Sequence, residues 1–215
     1  MLAIVEALVT RANVPIAALD EPALLVPELE GMVSEEPLRE ERWRLLVLAL
    51  YRAGSFIHEL THLKPRAVPG FRTAWNLLVG IPLLVPSFMY EGVHNQHHAK
   101  RYYGTVDDPE YLPLALMKPW TLPVFLAAAI LAPIGLLFRF AVLAPLSLVS
   151  HRLRETVVAK YSGLQINPRF RRPAPQGEFR RDWLLLETAC SAWAIALVAL
   201  TVAGIVPLRA FAIFL

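Results

Sequence analysis

Five of the six histidines lie between His58 and His98, in two groups. The first, His58-Glu59-Leu60-Thr61-His62, has the pattern HxxxH. The second, His94-Asn95-Gln96-His97-His98, has the pattern HxxHH. Residues four apart on a helix share a face, so His58 and His62 can reach one point. Offsets of three and four do the same for His94, His97 and His98. A lone histidine is ordinarily a surface or satisfied core residue, but two face-matched groups are not explained that way. Imidazole suits iron, zinc, copper and nickel. The spacing predicts a metal site assembled from two helices, with room for more than one ion.

Acidic residues accompany both groups. Asp107, Asp108 and Glu110 follow the second, in a loop marked by Gly104 and Pro109. They are candidates for direct metal binding or for holding imidazole N–H groups in place. Asp108, which precedes a proline, is the preferred one. The first group also reads HExxH. His58, Glu59 and His62 match the zinc metalloprotease pattern, in which the glutamate is the general base. That reading leaves the second group without a role. His151, in a basic stretch, is expected at the surface.

The surrounding chain points to a membrane. Of 215 residues, 56% are hydrophobic and 18% charged, against about 25% charged in soluble domains. Residues 1–41 read as a lead-in, partly disordered or a short helix, and 42–215 as one membrane-embedded domain. Ser34-Glu35-Glu36-Pro37 resembles a helix start. The apolar run from Trp43 to Leu63 approaches the roughly 20 residues of a span only if it continues into the first histidine group. Residues 71–90 are apolar but hold Gly80, Pro82 and Pro86. Both histidine groups must serve one site, and twenty residues cannot cross a bilayer twice as helix. An interfacial or re-entrant segment is predicted there. The long apolar stretch 119–149 is expected to dip in as two half-helices hinged near Pro133. Trp183–Val206 is the cleanest span, with Glu187 its one charge. From Arg139 to Asp182 nine Lys or Arg stand against three acids, which places that segment and the histidines on the cytoplasmic side. The fold class expected is all-α integral membrane, with the histidines on short helices at the cytoplasmic face. Cys190, the single cysteine, excludes an internal disulfide and a Cys-rich zinc site. No basic-aromatic module of a nucleic-acid binder is present.

The two histidine groups, their order and their setting resemble membrane-bound fatty-acid desaturases and related hydroxylases. The likeness extends to Tyr51-Arg52, Phe56-Ile57, Gly80-Ile81-Pro82, Gly104-Thr105 and Asp108-Pro109-Glu110-Tyr111, and covers roughly residues 44–206. It implies a di-iron centre with His58, His62, His94, His97 and His98 as ligands, and Glu59 and Asp108 as groups that orient them. It implies oxygen-dependent desaturation of an acyl lipid. Lipid or carotenoid hydroxylation and ketolation are variants of the same chemistry. Electrons would come from a ferredoxin or cytochrome b5-like donor, and the setting would be a bacterial inner membrane. The third histidine box of the family is not found, and five histidines are too few for its two irons. A truncated or damaged copy, unable to hold the full di-iron centre, is the expectation.

Overall fold

The computed structural model describes residues 35–64, 67–112 and 114–214, and all regular structure among them is helical. The chain falls into two units, Met1–Leu45 and Leu46–Leu215. Of the first, residues 35–45 are described, and they are helical. The lead-in expected over 1–41 therefore lies largely outside the described residues.

Helix α1, Glu35–Gly54, starts where the acids and Pro37 mark a helix N-terminus. Gly54 and Ser55 interrupt it, and α2, Phe56–His62, follows. One face of α2 carries Ile57 and Leu60, which pack with Trp75 and Val79; its other face carries His58 and His62. Helix α3, Phe71–Trp75, continues through a wide turn, Asn76–Gly80. A single 3-10 turn at Ser87–Met89 then leads to α4, His94–His97.

Among the described residues between the histidine groups, no helix is long enough to span a membrane. This irregular segment is bonded internally and to neighbouring helices. The Asn76 side chain accepts from Ser87 N–H at 2.8 Å and donates to Ser87 Oγ at 2.9 Å. Trp193 Nε1 donates to the Pro82 carbonyl at 3.1 Å, and Trp75 Nε1 to that of Ala53 at 2.9 Å. Gly80 is required by close approach: a Cβ there would stand 2.9 Å from Trp75 Cζ3 and 3.2 Å from Pro86 Cα.

Among the described residues, two helical stretches are long and apolar enough to cross a membrane, Thr121–Ser147 and Gly177–Val202. The first comprises α5, Thr121–Phe138, a wide turn at Arg139–Leu143, and α6, Ala144–Ser147. The expected break at Pro133 does not occur. An internal proline removes one helical hydrogen bond, but the apolar residues on both sides continue the helix. The ladder changes instead at Arg139–Leu143, where the wide turn forms. No described residue of α5 is buried against protein. An apolar helix with no protein cover suits hydrocarbon surroundings. After α7, His151–Tyr161, come α8, Gly177–Val202, and α9, Leu208–Phe214.

The main core joins these pieces. Leu84, Phe88 and Met89 meet Phe140, Val158, Trp183, Cys190 and Ala194. Phe88 stacks on Trp183 with centroids 4.5 Å apart. Glu187 on α8 is buried and salt-bridged to Arg139 and Arg154, at 2.5 Å each. This acid braces three helical pieces rather than reaching the surface. Beyond α7, the chain returns to the histidine-bearing loops: Leu164 N–H donates to the Met89 carbonyl at 2.8 Å, and Arg172 Nη2 to that of Glu91 at 2.5 Å.

Candidate metal centre

Four histidines converge. One ring nitrogen from each of His58, His62, His94 and His98 lies within 4.8 Å of the others. The Nε2 atoms of His62 and His94 are 3.0 Å apart, as are those of His98 and His94. Two imidazole nitrogens bound to one ion at about 2.0–2.1 Å stand at most about 4.2 Å apart. The four donors therefore suit a single transition-metal ion after small movements. His94 is buried, and the other three are exposed.

The two helices that carry these rings are held together at their backs. Leu60, 1% exposed, anchors α2, and Val93, 0% exposed, anchors the turn before His94. Arg72 ties them: its Nη2 donates to the Leu60 carbonyl at 3.1 Å, and its guanidinium pairs with Glu91.

Carboxylates set the imidazoles of the second group. His94 Nδ1 is 2.9 Å from Glu110 Oε1. The other Glu110 oxygen accepts from the Tyr90 hydroxyl at 3.3 Å, and the Tyr90 ring stacks on His94 at 4.6 Å. Burial, reinforced by Glu110, pushes the Tyr90 phenol up to about 12, so it remains a donor at neutral pH. Burial lowers His94 below the ordinary imidazole range, although Glu110 acts the other way. The neutral ring is the form that binds metal.

His97 does not join the four-histidine group. Its Nδ1 lies 3.0 Å from both oxygens of Asp108. Asp108 is wholly buried, which by itself would raise its carboxyl. The N–H groups of Gly104 and Glu110, at 2.8 and 2.9 Å, and His97 outweigh burial and hold it low. Glu59 lies with its Oε1 3.1 Å from His58 Nδ1, on the exposed side. His151, 87% exposed, pairs with Glu155 at 3.6 Å and takes no part in the four-histidine group.

Sequence reasoning placed Asp108 beside the histidines and weighed Glu110 with it, without assigning Glu110 to His94. It missed Tyr90, Arg72 and Asn167. Tyr90 stands four residues before His94, a helical offset that was a usable signal. Asn167 donates to the carbonyls of Val106 and Asp108 at 2.8 and 2.9 Å. Nothing in the local sequence marks that contact.

Helical membrane segments and a carboxylate-backed histidine cluster define a class, and comparison with known proteins names it. Residues 42–215 match the family model for fatty acid desaturase, and the chain belongs to that family. It is an all-α membrane protein. Over 165 residues it is 50% identical to a protein named ceramide hydroxylase from Caulobacter vibrioides (strain NA1000 / CB15N), across 77% of this chain and 47% of that protein. The chain thus spans about half the length of this curated relative. A model for the bacterial transcriptional activator domain also matches residues 2–56, of which 35–56 are described. No solved structure matches.

Proposed function

We propose that this chain provides the histidine cluster of a membrane lipid oxygenase that hydroxylates a long-chain acyl lipid of the ceramide type. The observation that carries this is the convergence of His58, His62, His94 and His98. The relative's name supplies the substrate class and the reaction. His97, with Nδ1 on Asp108, keeps Nε2 free to serve a second ion, and His94 with Glu110 has the same carboxylate–imidazole arrangement. Iron bound here would supply the oxygen activation that cleavage of an unactivated C–H bond needs.

The protein's own residues fix ring orientation and keep His94 neutral. Glu110 and Asp108 hold Nδ1 protons, which directs Nε2 outward. Electrons would reach the site from a ferredoxin or cytochrome b5-like donor. The exposed basic residues Lys64, Lys100, Arg169, Arg171, Arg180 and Arg181 support a cytoplasmic placement of this face, in a bacterial inner membrane. With His94 and His98 beside His58 and His62, the HExxH spacing is a coincidence of the first histidine group.

Desaturation is the second reading, supported by the family model. One experiment separates the two. Membranes that express this chain, or the longest reading frame containing it, are supplied with ceramide, oxygen and a reducing system, and the lipids are analysed by mass spectrometry. Gain of an oxygen atom supports hydroxylation, and loss of two hydrogens supports desaturation. Unchanged lipids with the iron-loaded protein present would refute both.

A further inference from the structure

The motif Asn167-Pro168-Arg169-Phe170-Arg171-Arg172 divides its labour. Its two ends are buried and fixed. Asn167, 1% exposed, is bonded to the loop at Val106–Asp108. Arg172, 6% exposed, donates to the carbonyls of Ser162 and Glu91 and lies over the Trp183 ring at 4.4 Å. The two arginines between them are exposed and line a cavity of about 350 Å³ with Phe170, Gln96, Tyr102 and Asp107. None of the four converging histidines lines it.

The chemistry of this cavity is specific. Arg171 Nη1 donates to the Pro168 and Phe170 carbonyls, at 2.7 Å each, which pins the guanidinium to its own loop. The Arg169 side chain has no hydrogen bond or ion pair among the described residues, and neither does the Gln96 amide or the Tyr102 hydroxyl. Two guanidinium groups from a loop clamped at both ends thus face an amide and a phenol from the segment that follows His94. Such a fork of N–H groups matches phosphate oxygens, and a loop held in place loses little freedom on binding. Asp107 adds one acceptor, which a simple anion would not use. The volume lies in the range of small-molecule sites, roughly 300–1,000 Å³.

We propose that this cavity binds a phosphate ester, with its phosphate on Arg169 and Arg171 and a hydroxyl or ammonium substituent on Asp107. A phospholipid headgroup and a soluble phosphate ester share that chemistry. The site makes no assumption about metal or oxygen chemistry.

The test uses the full chain in neutral detergent. Phosphoethanolamine and inorganic phosphate are titrated by calorimetry, and a short-chain phosphatidylethanolamine is compared with a diacylglycerol of the same chains. Saturable binding of the phosphate ester is expected. It should weaken at least tenfold in Arg169→Ala/Arg171→Ala, and stay unchanged in Arg152→Ala/Lys160→Ala, which removes the same charge from the exposed face of α7. Asp107→Asn should abolish the preference for phosphoethanolamine over inorganic phosphate. Binding of the phospholipid alone identifies a membrane headgroup, and binding of both identifies a soluble ester as sufficient. Arg169→Ala removes no internal bond, so it tests the site even if the double variant loses helicity. Absence of saturable binding, or equal loss in the α7 variant, overturns the proposal.

Discussion

The Asn167 side-chain amide donates to the Asp108 carbonyl, 2.9 Å away and 59 residues earlier in the chain. It also donates to the Val106 carbonyl at 2.8 Å, while the N–H groups of Ile166 and Asn167 both reach the Pro109 carbonyl at 2.9 Å. A distant loop thereby fixes the carboxylate that holds His97. Asn167→Ala would leave two carbonyls without this donor, at a cost of roughly 1–3 kcal/mol. A lower thermal midpoint in detergent, with reduced metal retention, is expected. An unchanged midpoint would show that the loop stays in place without the strap.

Glu110 holds His94 through Nδ1. Carboxylates in this position typically matter by about 10- to 100-fold in metal affinity. Glu110→Gln should weaken cobalt binding, followed by visible absorption, within that range. Glu155→Gln, at an exposed acid paired with His151, should leave the titration unchanged.

His94 lies at the centre of the cluster, 3.0 Å by Nε2 from both His62 and His98. His94→Ala should remove most bound iron from the purified protein. His151→Ala should retain it, because that ring is 87% exposed and outside the four-histidine group. Equal iron in both variants would place the metal elsewhere.

Acid should destabilise the metal-free protein in two stages. Burial lowers His94, so as pH falls below about 6.5 the unfolded chain takes up this proton first and stability declines. Asp108 is held below its ordinary value of 3.8, despite burial, by Gly104, Glu110 and His97. Its contribution is complete above about pH 4 and is lost as pH falls through the lower folded-state value. Urea midpoints measured against pH should show both declines. Asp108→Asn should flatten the lower one.

Glu187, with a side chain 6% exposed, is shared by Arg139 and Arg154. Removing one partner of a buried ion pair costs about 3–5 kcal/mol, because the remaining charge is left uncompensated. Glu187→Ala should lower the thermal midpoint more than Glu187→Gln, which keeps an acceptor for one of the two guanidinium groups. Equal midpoints would refute the brace.

The sequence alone determined what depends on neighbours within a few turns. The i, i+4 spacing of His58 and His62, and the offsets among His94, His97 and His98, put rings on common faces whatever the rest of the chain does. The apolar run from Trp183 marked the span beginning at Gly177, and the requirement that both histidine groups serve one site argued against a single crossing at 71–90. Tertiary structure decided the pairings, because helical periodicity says nothing about which distant groups meet. It gave Glu110 to His94 and Asp108 to His97, turned His97 out of the four-histidine group, and carried α5 unbroken through Pro133. It also brought Asn167 to Asp108 and Glu187 to Arg139. Those contacts cross tens of residues, and the path of the whole chain fixes them.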